Sequence, residues 1–470
     1  MVNKQEEQVS VDVVVIGGGP GGVAAAYRLQ DLGLSTAIVN QYDHLGGVCL
    51  NVGCIPSKAL LNVAKVVGDA QSMAKFGVYY EAPTIDVEAL RAAKQTSIDQ
   101  LATGLAMLAK KRKVQVYVGK ASFEDAHTIK VSGDQPVTIR FKHAVIATGS
   151  RPIKLPFIPD DDRIFDSTGA LDLKKIDGHL VVIGAGIIGC EMASIYHALG
   201  AKVTVLEYAP SAMLEADVKQ ASICQKQLQK RGIAFNFSVE VQNIANEGDL
   251  VVSYLQEGVV HELKCDQILY ATGRSPDTSS LNLEGLSIQC SDHGAVIVDE
   301  YLRTNIDHIY AIGDVAYLPF DQSMLAHRAT AHGHLVAEVI SGKNVRYDYL
   351  SMPSVAYTDP EVAWVGKQEK ELKESGVKYQ VGVFPWTACG RAVASGHTAG
   401  QTKVFADESG YIVGATIVGR DAGELIGTFC LAIEMGATLT DLSLTIMPHP
   451  TLVETTKLAV EVAMGVCTDQ

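Results

Sequence analysis

The sequence predicts an α/β protein: two doubly wound βαβ units followed by an α+β segment. Three observations carry that expectation. A glycine-rich turn of the form G-x-G-x-x-G stands at Gly17-Gly18-Gly19-Pro20-Gly21-Gly22, between a β-branched run and a helical pattern. A second stands in the same setting at Gly184-Ala185-Gly186-Ile187-Ile188-Gly189. Beyond about residue 348, short strand-like runs alternate with helical stretches.

In the first unit, residues 11–16 read as a strand, 23–32 as a helix and 35–39 as the next strand. In the second, residues 180–183, 190–199 and 202–206 repeat that order. The glycines permit a tight turn, close approach of a pyrophosphate and close helix–strand packing, and the helix N-terminus offers amides to the phosphates. Both units are therefore Rossmann-like and dinucleotide-binding. Glu207 closes the strand after the second turn, where an acid accepts from a ribose 2′-OH and repels a 2′-phosphate, so NAD is favoured over NADP. The matching position of the first unit is Asn40, an amide that can still bond a ribose but without charge assistance.

Between the units, apolar residues at Val87, Leu90, Ala93, Ile98, Leu101, Leu105 and Leu108 predict a long amphipathic helix over 87–110, capped by Asp86. Its basic end, Lys110 to Lys113, is what the helix dipole favours. Residues 151–159 contain Pro152, Pro156 and Pro159 and read as an extended connection. In the tail, 355–357 and 402–405 read as strands, and 423–434 and 454–462 as helices.

Cys49 and Cys54 stand five apart in Gly46-Gly47-Val48-Cys49-Leu50-Asn51-Val52-Gly53-Cys54-Ile55-Pro56-Ser57-Lys58. In a regular helix they would be about 7.5 Å apart along the axis and about 140° around it, too divergent for an S–S bond. An irregular backbone is expected there, with a helix starting near Pro56 whose N-terminus stabilises a thiolate on Cys54. The other cysteines, Cys190, Cys224, Cys265, Cys290, Cys389 and Cys430, read as small core residues, and Cys467 is isolated.

The chain has 470 residues, 47% hydrophobic and 20% charged, with a net charge of −14. That composition is globular, and its acidity argues against nucleic acid or an anionic membrane as a partner. The opening residues leave no room for a signal peptide, no apolar run reads as a membrane span, and a cytoplasmic location is expected. No metal site is read.

Further segments sharpen the expectation: Ala147-Thr148-Gly149-Ser150-Arg151-Pro152, Ala271-Thr272-Gly273-Arg274, Tyr310-Ala311-Ile312-Gly313-Asp314, Met324-Leu325-Ala326-His327 and His449-Pro450-Thr451-Leu452-Val453-Glu454. With the cysteine segment and both turns, they make the chain resemble the two-dinucleotide flavoprotein disulfide reductases, and within them the dihydrolipoyl dehydrogenases, from about residue 12 to 469. The resemblance implies an FAD site at Gly17, Gly19, Gly22, Asn40, Lys58, Gly119, Thr148, Gly149, Ser150, Asp314 and Ala326, and an NAD site at Gly184, Gly186, Gly189, Glu207 and Gly273. It implies that Cys49 exchanges with substrate, Cys54 faces the flavin, Lys58 pairs with Glu191, and His449 is the acid-base oriented by Glu454.

The resemblance also implies four segments: 1–158 (FAD), 159–275 (NAD), 276–347 (return to the first domain) and 348–470 (interface). It implies a homodimer in which each subunit sends its histidine into the other's site. The implied reaction converts protein-bound dihydrolipoamide to lipoamide with NAD⁺ as acceptor, in partnership with the lipoyl-bearing acyltransferase of 2-oxo acid dehydrogenase complexes. Glutathione reductase shares the cysteine spacing and His-Pro but uses NADP, against Glu207; mercuric and large thioredoxin reductases need a C-terminal cysteine pair, and Cys467 is alone. A scaffolding subunit without activity would not need the intact set Cys49, Cys54, Lys58, His449 and Glu454. Three positions depart from the pattern of the resemblance: Asn40 for a glutamate, Met447 for a second histidine, and His332 for an acidic residue.

Overall fold

The computed structural model describes residues 7–469. They divide into two compact units: 7–59, 88–153 and 273–348 belong to one, and 60–87, 154–272 and 349–469 to the other.

In the first unit a parallel sheet runs Gln115–Val118, Thr36–Asn40, Glu7–Ile16, Val137–Ile146 and Ile309–Ala311. Thr128–Ser132 and Lys120–Asp125 extend it antiparallel from the free half of Val137–Ile146. Val13, Val14, Val15 and Ile16 are all buried, as expected for a strand covered on both faces. Helix Pro20–Asp31 lies against helix Ala326–Ile340. A Cβ on Gly21 would reach Ala329 O at 2.7 Å, and one on Gly333 would reach Gly21 O at 2.4 Å, so glycines on both sides allow the contact.

The second unit holds a parallel sheet ordered Ala234–Asn236, Lys202–Leu206, His179–Ile183, Gln267–Tyr270 and Ile164–Phe165, with a separate antiparallel sheet of Val239–Ala245, Leu250–Gln256 and Val259–Cys265. Its C-terminal part is a five-stranded antiparallel sheet, Ser354–Ala356, Glu361–Gly366, Ile412–Gly419, Gln401–Asp407 and Tyr379–Pro385. Helices Gly427–Glu434 and Glu454–Met464 cover it.

Four details differ from expectation. Residues 60–87 group with the second unit, where Lys65 Nζ meets Asp421 Oδ1 at 2.7 Å and Arg420 grips both oxygens of Asp69. The helical stretch 47–76 does reach the length and apolar composition of a membrane span, but it is interrupted at Gly53 and carries those ion-paired charges. Helix Val87–Arg112 buries only Ile98 and Ala109, so most of its apolar stripe is uncovered in the single chain. Cys290 is exposed rather than a core residue.

Candidate active site

The two glycine turns share one geometry. Gly17 and Gly184 have φ of +117° and +106°, and a Cβ on them would lie 2.2 Å from Ala147 O and 2.4 Å from Ala271 O. On Gly22 and Gly189 it would lie 1.9 and 2.0 Å from the carbonyl oxygens of Gly17 and Gly184. Internal packing therefore demands the first and third glycines. The middle ones, Gly19 and Gly186, would place a Cβ in open space, although each immediately precedes a helix. Both turns thus leave free helix-start amides beside a clear approach for phosphate.

The residue that ends each second strand reaches back to its turn. Glu207 Oε2 accepts from Ala185 N at 2.5 Å and Oε1 from Ala209 N at 2.7 Å. Asn40 Oδ1 accepts from Gly18 N at 3.1 Å, while its Nδ2 donates to Tyr42 O at 2.7 Å and His44 O at 2.9 Å. Both amide hydrogens are spent, so only the oxygen can still meet a ribose hydroxyl. Gly119, with φ of +156°, donates its N–H to Asn40 O at 2.8 Å.

Asp314 sits in a short 3-10 turn, Gly313–Val315. Its Oδ2 accepts from Ser150 Oγ at 2.6 Å, and Arg274 holds Ser150 by Nε to Oγ at 2.8 Å and Nη2 to the carbonyl at 2.6 Å. Arg328, 1% exposed, donates to Gly313 O, and Gly313 N donates to His332 Nδ1 at 3.3 Å. Burial and the Arg328 charge push the His332 imidazole down to about 3, so it is a neutral acceptor. That gives the departure at position 332 a role: an ionised carboxylate there would face Arg328, whereas a neutral ring accepts one backbone amide. Thr148 Oγ1 is buried without a hydrogen-bond partner, Gly149 has φ of +75°, and Ala326 opens helix Ala326–Ile340.

The cysteines straddle a helix break. Cys49 lies in helix Gly47–Val52 and Cys54 is the first residue of Cys54–Ser72, with Gly53 between them at φ −145° and ψ −105°. The irregularity the spacing demanded is this break. The two thiols share a hydrogen bond, which together with burial and charge on Cys54 pushes the Cys49 thiol up, against the opposing charge of Lys58. Cys49 therefore holds its proton more firmly than an ordinary thiol. The segment is seated on the first glycine turn: Gly46 N donates to Gly18 O at 2.7 Å, and a Cβ on Gly47 would lie 2.6 Å from Gly19 Cα.

His449 Nδ1 lies 2.9 Å from Glu454 Oε1, while Glu454 Oε2 accepts from Thr451 N at 2.7 Å. The imidazole is 78% exposed. Met447 packs against the C-terminal core rather than presenting a polar group there. Glu191 is buried in helix Ile187–Ala198, with Oε1 accepting from Tyr357 N at 2.9 Å. Gly273, with φ of +113°, accepts from Ile153 N at its carbonyl.

The pyridine nucleotide-disulphide oxidoreductase model matches residues 11–333, and the dimerisation domain of the same family matches residues 352–460. The chain belongs to this family. It is 45% identical to a dihydrolipoyl dehydrogenase of Buchnera aphidicola subsp. Schizaphis graminum over 98% of each chain. It is equally similar, at 45% over 98% of each chain, to one from Vibrio cholerae, and 40% identical to one from Geobacillus stearothermophilus over 97% of each. Among solved structures it superposes on the HOCl-induced flavoprotein disulfide reductase RclA from Escherichia coli with a TM-score of 0.85 and 27% identity, over 96% of this chain and 99% of that one.

The residues present suit the two nucleotides of a pyridine nucleotide-disulphide oxidoreductase. Gly19 and Gly186 leave room for pyrophosphates, Glu207 keeps one lone pair per oxygen for a ribose, and Thr148 Oγ1 is a buried polar atom lacking a partner. Sequence reasoning missed the supports behind these groups: Arg274 behind Ser150, Arg328 behind Gly313, and Asn51, whose Nδ2 ties Leu45 O and Gly47 O at the cysteine segment. Their signal was adjacency, since Arg274 and Asn51 lie within segments already singled out and Arg328 directly follows one.

Proposed function

We propose that this chain oxidises dihydrolipoyl thiols to the cyclic disulfide with NAD⁺ as final acceptor. The observation that carries the reading is the Cys49–Cys54 pair at a helix break seated on the first glycine turn. When bound, FAD takes an electron pair from the protein and NAD⁺ takes it onward as hydride. Gly17, Gly19, Gly22, Thr148, Ser150 and Asp314 would hold the first, and Gly184, Gly186, Gly189 and Glu207 the second.

The chain's own steps follow from its sulfur and proton chemistry. With Cys49 and Cys54 joined as a disulfide, His449 takes the proton of one substrate thiol, the thiolate so formed attacks Cys49, the S–S bond breaks, and Cys54 leaves as thiolate at a helix start suited to hold it. The second substrate sulfur then attacks the first, closing the cyclic disulfide and breaking its bond to Cys49, and its proton goes to Cys49, which leaves as a thiol. The substrate thiol must lose its proton before it attacks, which makes a base necessary, and Glu454 fixes which imidazole nitrogen faces the substrate. Lys58 supplies positive charge near the thiols.

An exposed base on the C-terminal segment suits a homodimer in which each subunit completes the other's site. The match to a dimerisation domain supports this, as do Leu431, Met435, Leu444 and Ile446, which are exposed apolar residues on that segment. The four-segment division proposed from sequence, 1–158, 159–275, 276–347 and 348–470, goes with this arrangement. The partner proposed is a lipoyl-bearing acyltransferase of a 2-oxo acid dehydrogenase complex.

Anaerobic titration of the purified holoenzyme with dihydrolipoamide tests the reading. A flavin spectrum that gains a long-wavelength band after two electrons, and loses that response in Cys49→Ser with flavin retained, is expected. Lipoamide turnover persisting in Cys49→Ser would refute the assignment. His449→Gln should slow reduction by dihydrolipoamide far more than NADH oxidation by an artificial acceptor; equal slowing would remove it as the base.

A further inference from the structure

We propose that Trp386, Thr402 and Thr455 form a buried relay that positions the His449–Glu454 pair for proton transfer, a proposal that rests on His449 being the base. Trp386 Nε1 donates to Thr402 Oγ1 at 3.0 Å, Thr402 donates to Thr455 Oγ1 at 2.8 Å, and Thr455 donates to Leu452 O at 2.8 Å. All three side chains are 0% exposed. The relay has one possible direction: an indole N–H only donates, so each hydroxyl accepts from one side and passes its own hydrogen on.

The relay ends inside the His449–Glu454 turn. Leu452 O is its terminus, the neighbouring Thr451 N is bonded to Glu454 Oε2, and Thr451 O accepts from Cys389 Sγ at 3.7 Å. The turn is thus held from the C-terminal core at two consecutive carbonyls. His449 itself is 78% exposed in the single chain, so within its own subunit the ring's aim depends on Glu454 and on the turn beneath it. Space for the indole is reserved by two glycines: a Cβ on Gly400 or Gly419 would lie 2.4 Å from the ring. Valines at 402 and 455 would fill the same volume without needing partners; a satisfied polar chain in a core specifies one geometry.

The test uses the flavin-loaded dimer with Thr402→Val, Thr402→Ser and Trp386→Phe, beside wild type and His449→Gln. Thr402→Val should slow flavin reduction at saturating dihydrolipoamide on the order of tenfold, as expected for a misaimed proton acceptor. NADH oxidation by an artificial acceptor and the KM for dihydrolipoamide should stay within about twofold, Thr402→Ser should recover most of the rate, and Trp386→Phe should lose less, in the same direction. If His449→Gln is slow while Thr402→Val and Trp386→Phe match wild type, the relay is overturned and the base assignment stands. Equal loss of both activities in Thr402→Val also overturns it, as general damage. If His449→Gln is not slow, the base assignment falls and the relay with it.

Discussion

Replacing Asn40 with aspartate changes one NH₂ to oxygen and tests how the first turn is held. The side chain is 6% exposed, and its Nδ2 donates to Tyr42 O at 2.7 Å and His44 O at 2.9 Å. Aspartate keeps the acceptor for Gly18 N but loses both donors and points an anion at two carbonyls. Two hydrogen bonds lost, with their acceptors left facing the wrong charge, cost about 2–4 kcal/mol. Tyr42 and His44 are exposed enough to turn toward water, which favours the lower end. If that energy falls on the turn, the flavin-competent state is depleted and retention weakens by roughly 30-fold at about 2 kcal/mol. The assay is flavin release followed by fluorescence during dilution and during a thermal ramp. An Asn40→Asp enzyme that holds flavin within about threefold of wild type, with an unchanged melting profile, would refute the reasoning.

Three other outcomes separate binding, folding and electrostatics. Gly186→Ala should fold normally, because its Cβ meets nothing within 4 Å, yet bind NADH at least about tenfold more weakly by fluorescence titration. Gly189→Ala, whose Cβ would lie 2.0 Å from Gly184 O, should instead lower the melting temperature; equal effects from the two would sink the distinction between the glycines. Glu369 titrates near 2, since bonds from Lys373 and Lys403 outweigh the cost of its burial. A depressed carboxylate stabilises the fold above its unfolded value and loses that contribution as pH falls from about 4.5 to about 2. Lys403→Met, which breaks the buried pair with Asp217 at 2.8 Å, should melt well below wild type at pH 7, by about 3 kcal/mol of stability. That gap should narrow as the solution is acidified toward pH 2, and a gap independent of pH would count against the assignment.

Local pattern carried much of the architecture. The strands at 11–16 and 202–206 and the helix at 454–462 are present, and the first strand begins earlier, at Glu7. The helix read from Cys190 starts at Ile187 because Gly186 is its N-cap, so the turn and the helix overlap by three residues. Residues 423–434 form two helices, not one, Ala422–Leu425 and Gly427–Glu434. The connection at 151–159 is partly a paired ribbon, since Ser150–Pro152 pairs with Arg274–Pro276. That pairing joins segments more than a hundred residues apart, beyond the reach of any local signal. The same holds for Asn40, whose type was visible while the two carbonyls it donates to were not, and for His332, whose ring nitrogen accepts from Gly313 N and whose charge is suppressed by burial and by Arg328. The third glycine of each turn answers to the first, five residues back, which is a local signal, whereas Gly17 and Gly184 answer to Ala147 O and Ala271 O, far along the chain. Grouping residues 60–87 with the second unit could not be read locally, because it depends on Arg420 and Asp421.

Glu207 and Asn40 both close a strand and both accept the amide in the middle of their own glycine turn. Holding the turn is thus a duty of this position apart from the ribose contact proposed for it, and an amide oxygen performs it as well as a carboxylate. A duplicated unit can surrender the charge in one copy and still fold, provided another oxygen takes the amide. A change at either position therefore acts on the turn as well as on any nucleotide bound there. Exchange in the first half must replace the two donors that Asn40 supplies to Tyr42 and His44, and exchange in the second must replace the two acceptors that Glu207 offers to Ala185 N and Ala209 N.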